Sequence, residues 1–517
     1  GATGYNYQPQ WEQLTVASVS ADGLTVTLTA ALKFDHLGAR DANGVLDYLP
    51  QGMNDHRNIM VESQSMTGTR GYTLFTGYGS VDVEYAGFCE LGRSTGSNTA
   101  DRYAMTVLVL IGPSTPQANG YQYTFVGDAV DNDGDGNAKN PSNLIWGLAV
   151  NNSYYGLIQN NDVYAVAGTG IGVEDASSSY NRFDGNFVAN VTGSSNRYDQ
   201  QLQGDAFWFH NPNNYVTNNI AADINGASWD VFSYGYDIDA STGTLGGGVG
   251  AVSITAYQGA DPSAAGQSRQ VNMNDTPILG FSGNSVYGAT QSGMTLWWIG
   301  TYGDTPYADA QVSVVKNFTA WNFSTRGFYG YPTNNVTIDG LVVRGDESLL
   351  GNQYNYVTGV NFDDYMTHNL VITNADIQGM ATGIEAPFMV GRTSSMDTTV
   401  IENSFLDNVV NIDLTPARSI NGSSGLSPQT LNINNVQFAH PNTAPKAWWL
   451  DVSMDYVTSD SLGTSNMGAA QYVYVTNYDG ASGDNFQVFY TQSNSPTGTP
   501  PAGSTTMAYI GGYVKMT

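Results

Sequence analysis

Glu174, Asp175, Asp184 and Asp205 lie where short apolar runs alternate with Asn- and Gly-rich turns. Paired carboxylates are the usual means of hydrolysing glycosidic bonds. If the runs stack as coils, equivalent positions recur about every 4.8 Å. A pair one coil apart then matches the ~5 Å separation of a retaining glycosidase, and a pair two coils apart the wider separation of an inverting one. Around them, Trp208 and Tyr215, with Phe207, are aromatic surfaces for sugar rings, and Arg182 is a fork for a uronate carboxylate. His210 completes the candidate substrate-binding set. The competing reading is local. Acidic side chains at such turns bond their own backbone, and His210 is then a structural histidine at a turn.

A second chemistry is ion binding. In GDAVDNDGDGNAKN, residues 127–140, Asp131, Asp133, Asp135 and Asn137 alternate with Asn and Gly. Oxygen ligands can converge there while glycine permits the sharp turn. The twelfth position from Asp131 is Ser142, where an EF-hand carries its bidentate Glu. The expectation is a structural, non-helical Ca²⁺ loop, and the alternative is a solvated polar turn. The five histidines, His36, His56, His210, His368 and His440, are dispersed and Cys89 is the single cysteine. No transition-metal centre and no internal disulfide framework are expected.

The elements that must position these groups are short strands. From 144 to 222 they recur roughly every 20 residues, each closed by Gly or Asn, which is a stacked repeat. The strands are short, few stretches between them favour helix, and Asn and Gly suit left-handed turns. The fold expected is all-β, a right-handed parallel β-helix. Residues 14–29 alternate about Ala21-Asp22-Gly23, a hairpin signal, so 1–45 reads as an N-terminal β cap. Coils occupy 46–425, with Gly/Ser/Ala-rich loop insertions around 237–275. In 426–517, LNINNVQFAH, QYVYVTNYDG and DNFQVFYTQ read as a C-terminal antiparallel β cap or small sandwich.

Composition restricts partners. The 45 acidic against 17 basic residues, net charge −28, argue against nucleic acid and anionic membrane surfaces, which need clustered Lys and Arg. No stretch approaches the length of an apolar membrane span.

Residues 11–92, with FDHLGARDANG, HRNIMVES and DVEYAGFCELGR, resemble the eight-glycine module of the cell-migration-inducing hyaluronan-binding proteins. GIGVEDASSSYNRFDGN and FWFHNPNNYVTNNIAA are similar to further segments of that family, and residues 275–346 to its secreted bacterial branch. The resemblance implies an extracellular or cell-surface β-helix whose partners are polysaccharides or matrix glycans. It fails at one strand. Where relatives carry paired histidines, this chain has Arg102-Tyr103-Ala104-Met105-Thr106-Val107-Leu108-Val109. Two functions follow as expectations: a structural or polysaccharide-binding protein without the histidine site, self-assembly included, and a secreted depolymerase of acidic glycans working through carboxylates.

Overall fold

A computed structural model describes residues 10–65, 69–92, 102–113, 117–131, 146–193, 204–224, 234–240, 251–255, 267–302, 305–306, 309–350, 357–362, 367–391, 398–416, 426–428, 430–454, 471–483, 486–490, 509–510 and 513–514. Among these, strands follow one another in threes, and every third strand pairs in parallel with its predecessor. The result is the expected parallel β-helix, with three faces. The first face holds Leu148–Asn151, Ile171–Val173, Phe207–Phe209, Tyr236–Asp239 and Ser292–Ile299. The second holds Gly156–Gln159, Arg182–Asp184, Tyr215–Thr217 and Gly280–Ser282. The third is a twelve-stranded sheet that includes Asp162–Val166, Phe187–Val191 and Ile220–Ile224. Strand Arg326–Asp339 runs unbroken from the first face into the second, pairing with both, and so joins them into one sheet.

Two sequence devices set the corners. Between the second and third faces the chain turns through a left-handed residue, Gly127, Asn160, Gly185, Asn218 or Gly283 in successive coils. Glycine and asparagine tolerate that conformation where other side chains clash. Directly after it stands Asp128, Asn161, Asn186, Asn219 or Asn284, each buried. The Oδ1 of each asparagine accepts the backbone N–H of the coil before it, at 2.8 to 3.0 Å. Its amide donates to a carbonyl of that neighbouring coil, as from Asn186 to Ile158 at 2.9 Å. Polar groups that a corner leaves without strand partners are thereby satisfied in the dry interior. Ahead of the first face, Gly147, Gly170, Gly235, Gly293, Gly327 and Gly359 stack so closely that a Cβ at Gly293 would sit 2.5 Å from the Gly327 carbonyl oxygen.

Inside, alternate strand residues build continuous apolar columns. Phe207 lies flat on Tyr236 with centroids 4.8 Å apart, and Tyr236 meets Phe281 and Phe318 edge-on. Full burial of such side chains is the main driving force of the stack, worth ~25 cal/mol per Å² of apolar area.

The N-terminal segment forms the hairpin expected about Asp22-Gly23, Val16–Val19 against Val26–Leu28. It then runs along the third face. Ala42 N–H donates to Gln378 Oε1 at 2.8 Å, Arg344 holds Asp47 at 2.7 Å, and Gln51 N–H reaches the Tyr287 hydroxyl at 3.0 Å. Arg57 closes the path on Asp162 at 3.1 Å. Within the insertion, Ala251–Thr255 and Ser268–Asn272 pair as an antiparallel hairpin.

At the other end, Thr430–Asn434 and Gln437–Ala439 of LNINNVQFAH remain parallel rungs of the second and third faces. This differs from the antiparallel reading of that run, because period-two alternation is common to both kinds of sheet. Antiparallel pairing occurs where Leu426–Pro428 meets the end of Thr382–Gly391 and where Gln471–Thr476 meets Phe486–Tyr490. Here His440 is held from both sides, its Nδ1 2.7 Å from the Asn408 carbonyl and its Nε2 2.9 Å from Asp451. Both partners accept, so both ring nitrogens donate and the ring carries charge. Burial pushes its pKa down, but the bonds to Asp451 and Asn408, with the charges of Asp451 and Asp407, outweigh this and raise it. A raised folded pKa stabilises fully below the unfolded value of about 6.5, and the benefit is lost as pH rises through the folded value. His440→Gln should therefore cost on the order of 1 kcal/mol at pH 5.5 and less at pH 8.5. Urea midpoints at the two pH values check this, and an equal loss at both would exclude a charged ring.

Candidate functional site

The first face carries the polar chemistry on its outer side. Parallel register sets Phe207 beside Tyr236 and Trp208 beside Asp237. Asp205, two residues before Phe207, is thus level with Tyr234, whose N–H donates to Asp205 Oδ1 at 2.8 Å. The next coil adds Thr295 beside Asp237 and Trp297 beside Asp239, and the one after adds Tyr329 and Tyr331. Below, Trp146 packs edge-on against Trp208 at 5.3 Å and stacks on Tyr103 at 5.0 Å. Carboxylates and aromatic rings therefore alternate along one side of the helix.

Asp205 and Asp237 are both fully buried. Among the described residues, Asp205 Oδ2, both oxygens of Asp237 and the indole nitrogens of Trp146 and Trp208 have no hydrogen-bond partner. Desolvation raises the Asp205 carboxyl to about 7 in spite of the Tyr234 N–H. Asp237 is raised further above the carboxylate range, first by desolvation and then by the charges of Asp205 and Asp239. The two titrate as a pair that keeps a proton at neutral pH. Asp205, with a backbone donor, is the member better suited to ionise first.

The residues singled out from the sequence divide between faces. Glu174, Asp205, Trp208 and His210 come together on the first. Glu174 is engaged there, accepting from the Tyr103 hydroxyl at 3.0 Å and the Asn151 amide at 3.1 Å. His210 stacks on Trp208 at 5.2 Å and directs Nδ1 to the Glu174 carbonyl at 2.9 Å. Asp175 lies at the turn beyond, its Oδ1 accepting the Ser177 N–H at 2.6 Å, as the local reading anticipates. Arg182, Asp184 and Tyr215 are on the second face. Burial raises Asp184, but bonds from Thr217, Asn218 and Gln159 and the charge of Arg182 outweigh it and hold its carboxyl low.

Asp131 ends a third-face strand and is buried, whereas Asp133, Asp135 and Asn137 lie outside the described residues. Among the described residues no three His, Cys, Asp or Glu side chains converge on a metal position, and no helix is long and apolar enough to cross a membrane.

Asp237, Asp239, Tyr234, Thr295 and Trp146 escaped the sequence reading. Their signal is a repeat: WGLAV, TGIGV, DAFWF, YGYDI and SGMTL share a small second residue, apolar third and fifth residues, and a variable fourth that points outward. Asp237 and Trp208 occupy that fourth place.

No protein-family model matches the chain, and no curated protein does. Among solved structures, it is similar to the catalytic unit of a thermostable GH87 α-1,3-glucanase from Streptomyces thermodiastaticus strain HF3-3. Identity is 11% and the TM-score 0.31, over 75% of this chain and 56% of that one. The chain thus spans little more than half of that structure. A GH87 α-1,3-glucanase catalytic domain in complex with nigerose gives 13% identity and a TM-score of 0.26, over 80% and 70% of the two chains. Another, in complex with tetrasaccharides, gives 12% and 0.25, over 80% and 71%. At such scores the likeness bears on neither activity nor substrate.

Proposed function

We propose that this β-helix is an extracellular polysaccharide depolymerase, a glycoside hydrolase whose carboxylates are Asp205, Asp237 and Asp239 on the first face. The observation carrying this reading is the buried Asp205–Asp237 pair, three of whose four carboxyl oxygens lack a hydrogen-bond partner among the described residues, beside two indoles in the same state. Holding such groups dry is costly unless something else uses them. A matrix-binding scaffold, the other reading of the sequence, gives no reason for a proton to be kept there at neutral pH.

Protonated Asp237 gives its proton to the glycosidic oxygen as the bond from that oxygen to the anomeric carbon breaks. Water adds to the anomeric carbon and loses a proton to Asp239, which lies two residues along the same strand and is half-buried. Residues i and i+2 project from the same side of a strand, so Asp237 and Asp239 face the substrate together. Ionised Asp205 keeps the Asp237 proton in place through its negative charge. Both inner carboxylates are out of contact with solvent, so the reaction requires the groups covering them to move aside, while Asp239 and Trp297 beside them are half-buried.

Incubation with a panel of polysaccharides, followed by an assay for new reducing ends, tests the reading. Release of products without unsaturated uronates is expected. A well-folded protein that cleaves no member of a broad panel would refute it.

The proposal includes a structural Ca²⁺ at residues 131–137, since several carboxylates on one turn repel each other unless a cation neutralises them. Occupancy at 100 times Kd would add about 2.7 kcal/mol of stability. Excess chelator should lower the Tm by several degrees, and an unchanged melting curve would remove the ion from the account.

A further inference from the structure

Beyond the carboxylate pair, the outer side of the first face continues through coils that the hydrolytic chemistry does not need. Trp297 follows Asp239 and is followed by Tyr331, one above another in register. Trp297 meets Tyr331 at 4.5 Å and Tyr329 at 6.4 Å. Unlike Trp146 and Trp208, which are buried, Trp297 and Tyr331 are half-buried and reach solvent. Further on in the same columns stand Glu385 and Asp413, also half-buried. The row is therefore aromatic and acidic together, and it leads directly to the oxygens of Asp237, which have no hydrogen-bond partner among the described residues.

Its charge is mostly negative. Asp239, Glu385 and Asp413 line it beside the Asp205–Asp237 pair, while Arg326 supplies a cation whose guanidinium lies over the Tyr329 ring at 4.5 Å. The whole chain carries −28. Low-dielectric walls lined by carboxylates repel an anionic polymer and offer hydrogen-bond acceptors to hydroxyl groups. Arg182, expected from the sequence to hold a uronate, is on the second face and cannot serve this row.

We infer that the first face takes an uncharged, hydroxyl-rich polysaccharide laid along the helix axis, with sugar faces on Trp297 and Tyr331, and that it excludes uronate-bearing glycans. This rests on the proposed hydrolase reading for the cleavage step, although the binding row stands apart from it.

The test separates the two. Affinity electrophoresis in gels containing uncharged glucans, mannans or xylans reads binding without cleavage. The protein and its Asp237→Asn variant should be retarded by at least one uncharged polymer, and Trp297→Ala at least tenfold less. Carboxymethylation of that polymer should weaken retardation at least tenfold at low salt, with partial recovery at 0.5 M salt, since screening weakens repulsion between charges. In cleavage assays Trp297→Ala should raise KM more than it lowers kcat. Retardation without cleavage by the parent would sink the hydrolase reading and leave the inferred specificity intact. Equal or stronger retardation by hyaluronan or polygalacturonate, binding only to amine-bearing chitosan, no retardation by any uncharged polymer, or full binding by Trp297→Ala would each overturn the inference.

Discussion

Asp237→Asn abolishes cleavage to within 10²- to 10⁴-fold of the parent rate, the range lost when a positioned general acid is removed, and it does so while making the protein more stable. The two effects share a cause. Desolvation raises both carboxyls, Asp205 to about 7, and the charges of Asp205 and Asp239 raise Asp237 further. A carboxyl raised in the folded state lowers stability as pH climbs. An unfolded aspartate ionises near 3.9, whereas the folded Asp237 carboxyl resists ionisation to well above that value. The penalty therefore grows as pH climbs from about 4 toward the raised folded value. Asn keeps the shape without the charge, so the variant should match the parent below pH 4 and exceed it by a margin that widens as pH rises. Thermal melts across pH 4 to 8, together with reducing-end assays, check both parts. A variant that loses activity and stability in equal measure at every pH would make Asp237 a structural residue.

How much of this was readable beforehand depends on what each residue type has to do. The coil stack was legible because left-handed corners restrict residue choice: Asn160-Asn161, Gly185-Asn186, Asn218-Asn219 and Gly283-Asn284 punctuate the sequence wherever the second face turns into the third. The Asn-Pro-Asn-Asn block, residues 211–214, also lies at a turn of the coil. Asn214 bonds Asn181 N–H at 3.0 Å and the Ser178 carbonyl at 3.0 Å. Asn213 contributes through its backbone, its carbonyl accepting from Tyr180 at 2.7 Å. The site was legible only in part. Glu174, Asp205, Trp208 and His210 stood close together in sequence and share a face, yet so did Asp184 and Arg182, which do not. Three strands per coil separate neighbours in sequence onto different faces, while insertions of variable length bring Asp237 and Trp297 beside residues far from them. The fourth position of the glycine-led repeat holds Ala149, Gly172, Trp208, Asp237 or Thr295, with no residue type in common. It therefore varies too much to reveal itself by periodicity alone.

The largest loss of stability should come from the middle of the asparagine ladder. In Asn186→Leu the apolar volume is similar, but Asn161 N–H loses its acceptor at 3.0 Å and the Ile158 carbonyl loses its donor at 2.9 Å. The bond from the Asn161 amide to Asn186 Oδ1, 2.9 Å, also goes. All of these groups are buried at a corner where water cannot replace them, and each orphaned partner costs about 1–3 kcal/mol. Together they amount to about 3 kcal/mol or more, and the unbonded edge interrupts a stack in which each coil is stabilised by its neighbours. Asn160→Gly is the control. Asn160 is exposed and serves the left-handed turn (φ 53°), which glycine adopts freely, so this variant should change stability by less than ~1 kcal/mol. Urea unfolding of both variants measures the difference, and hydrogen exchange at the backbone amides of residues 158–187 should locate it at the corner. If Asn186→Leu and Asn160→Gly unfold at the same urea concentration, burial of the ladder's hydrogen bonds is not what holds successive coils together.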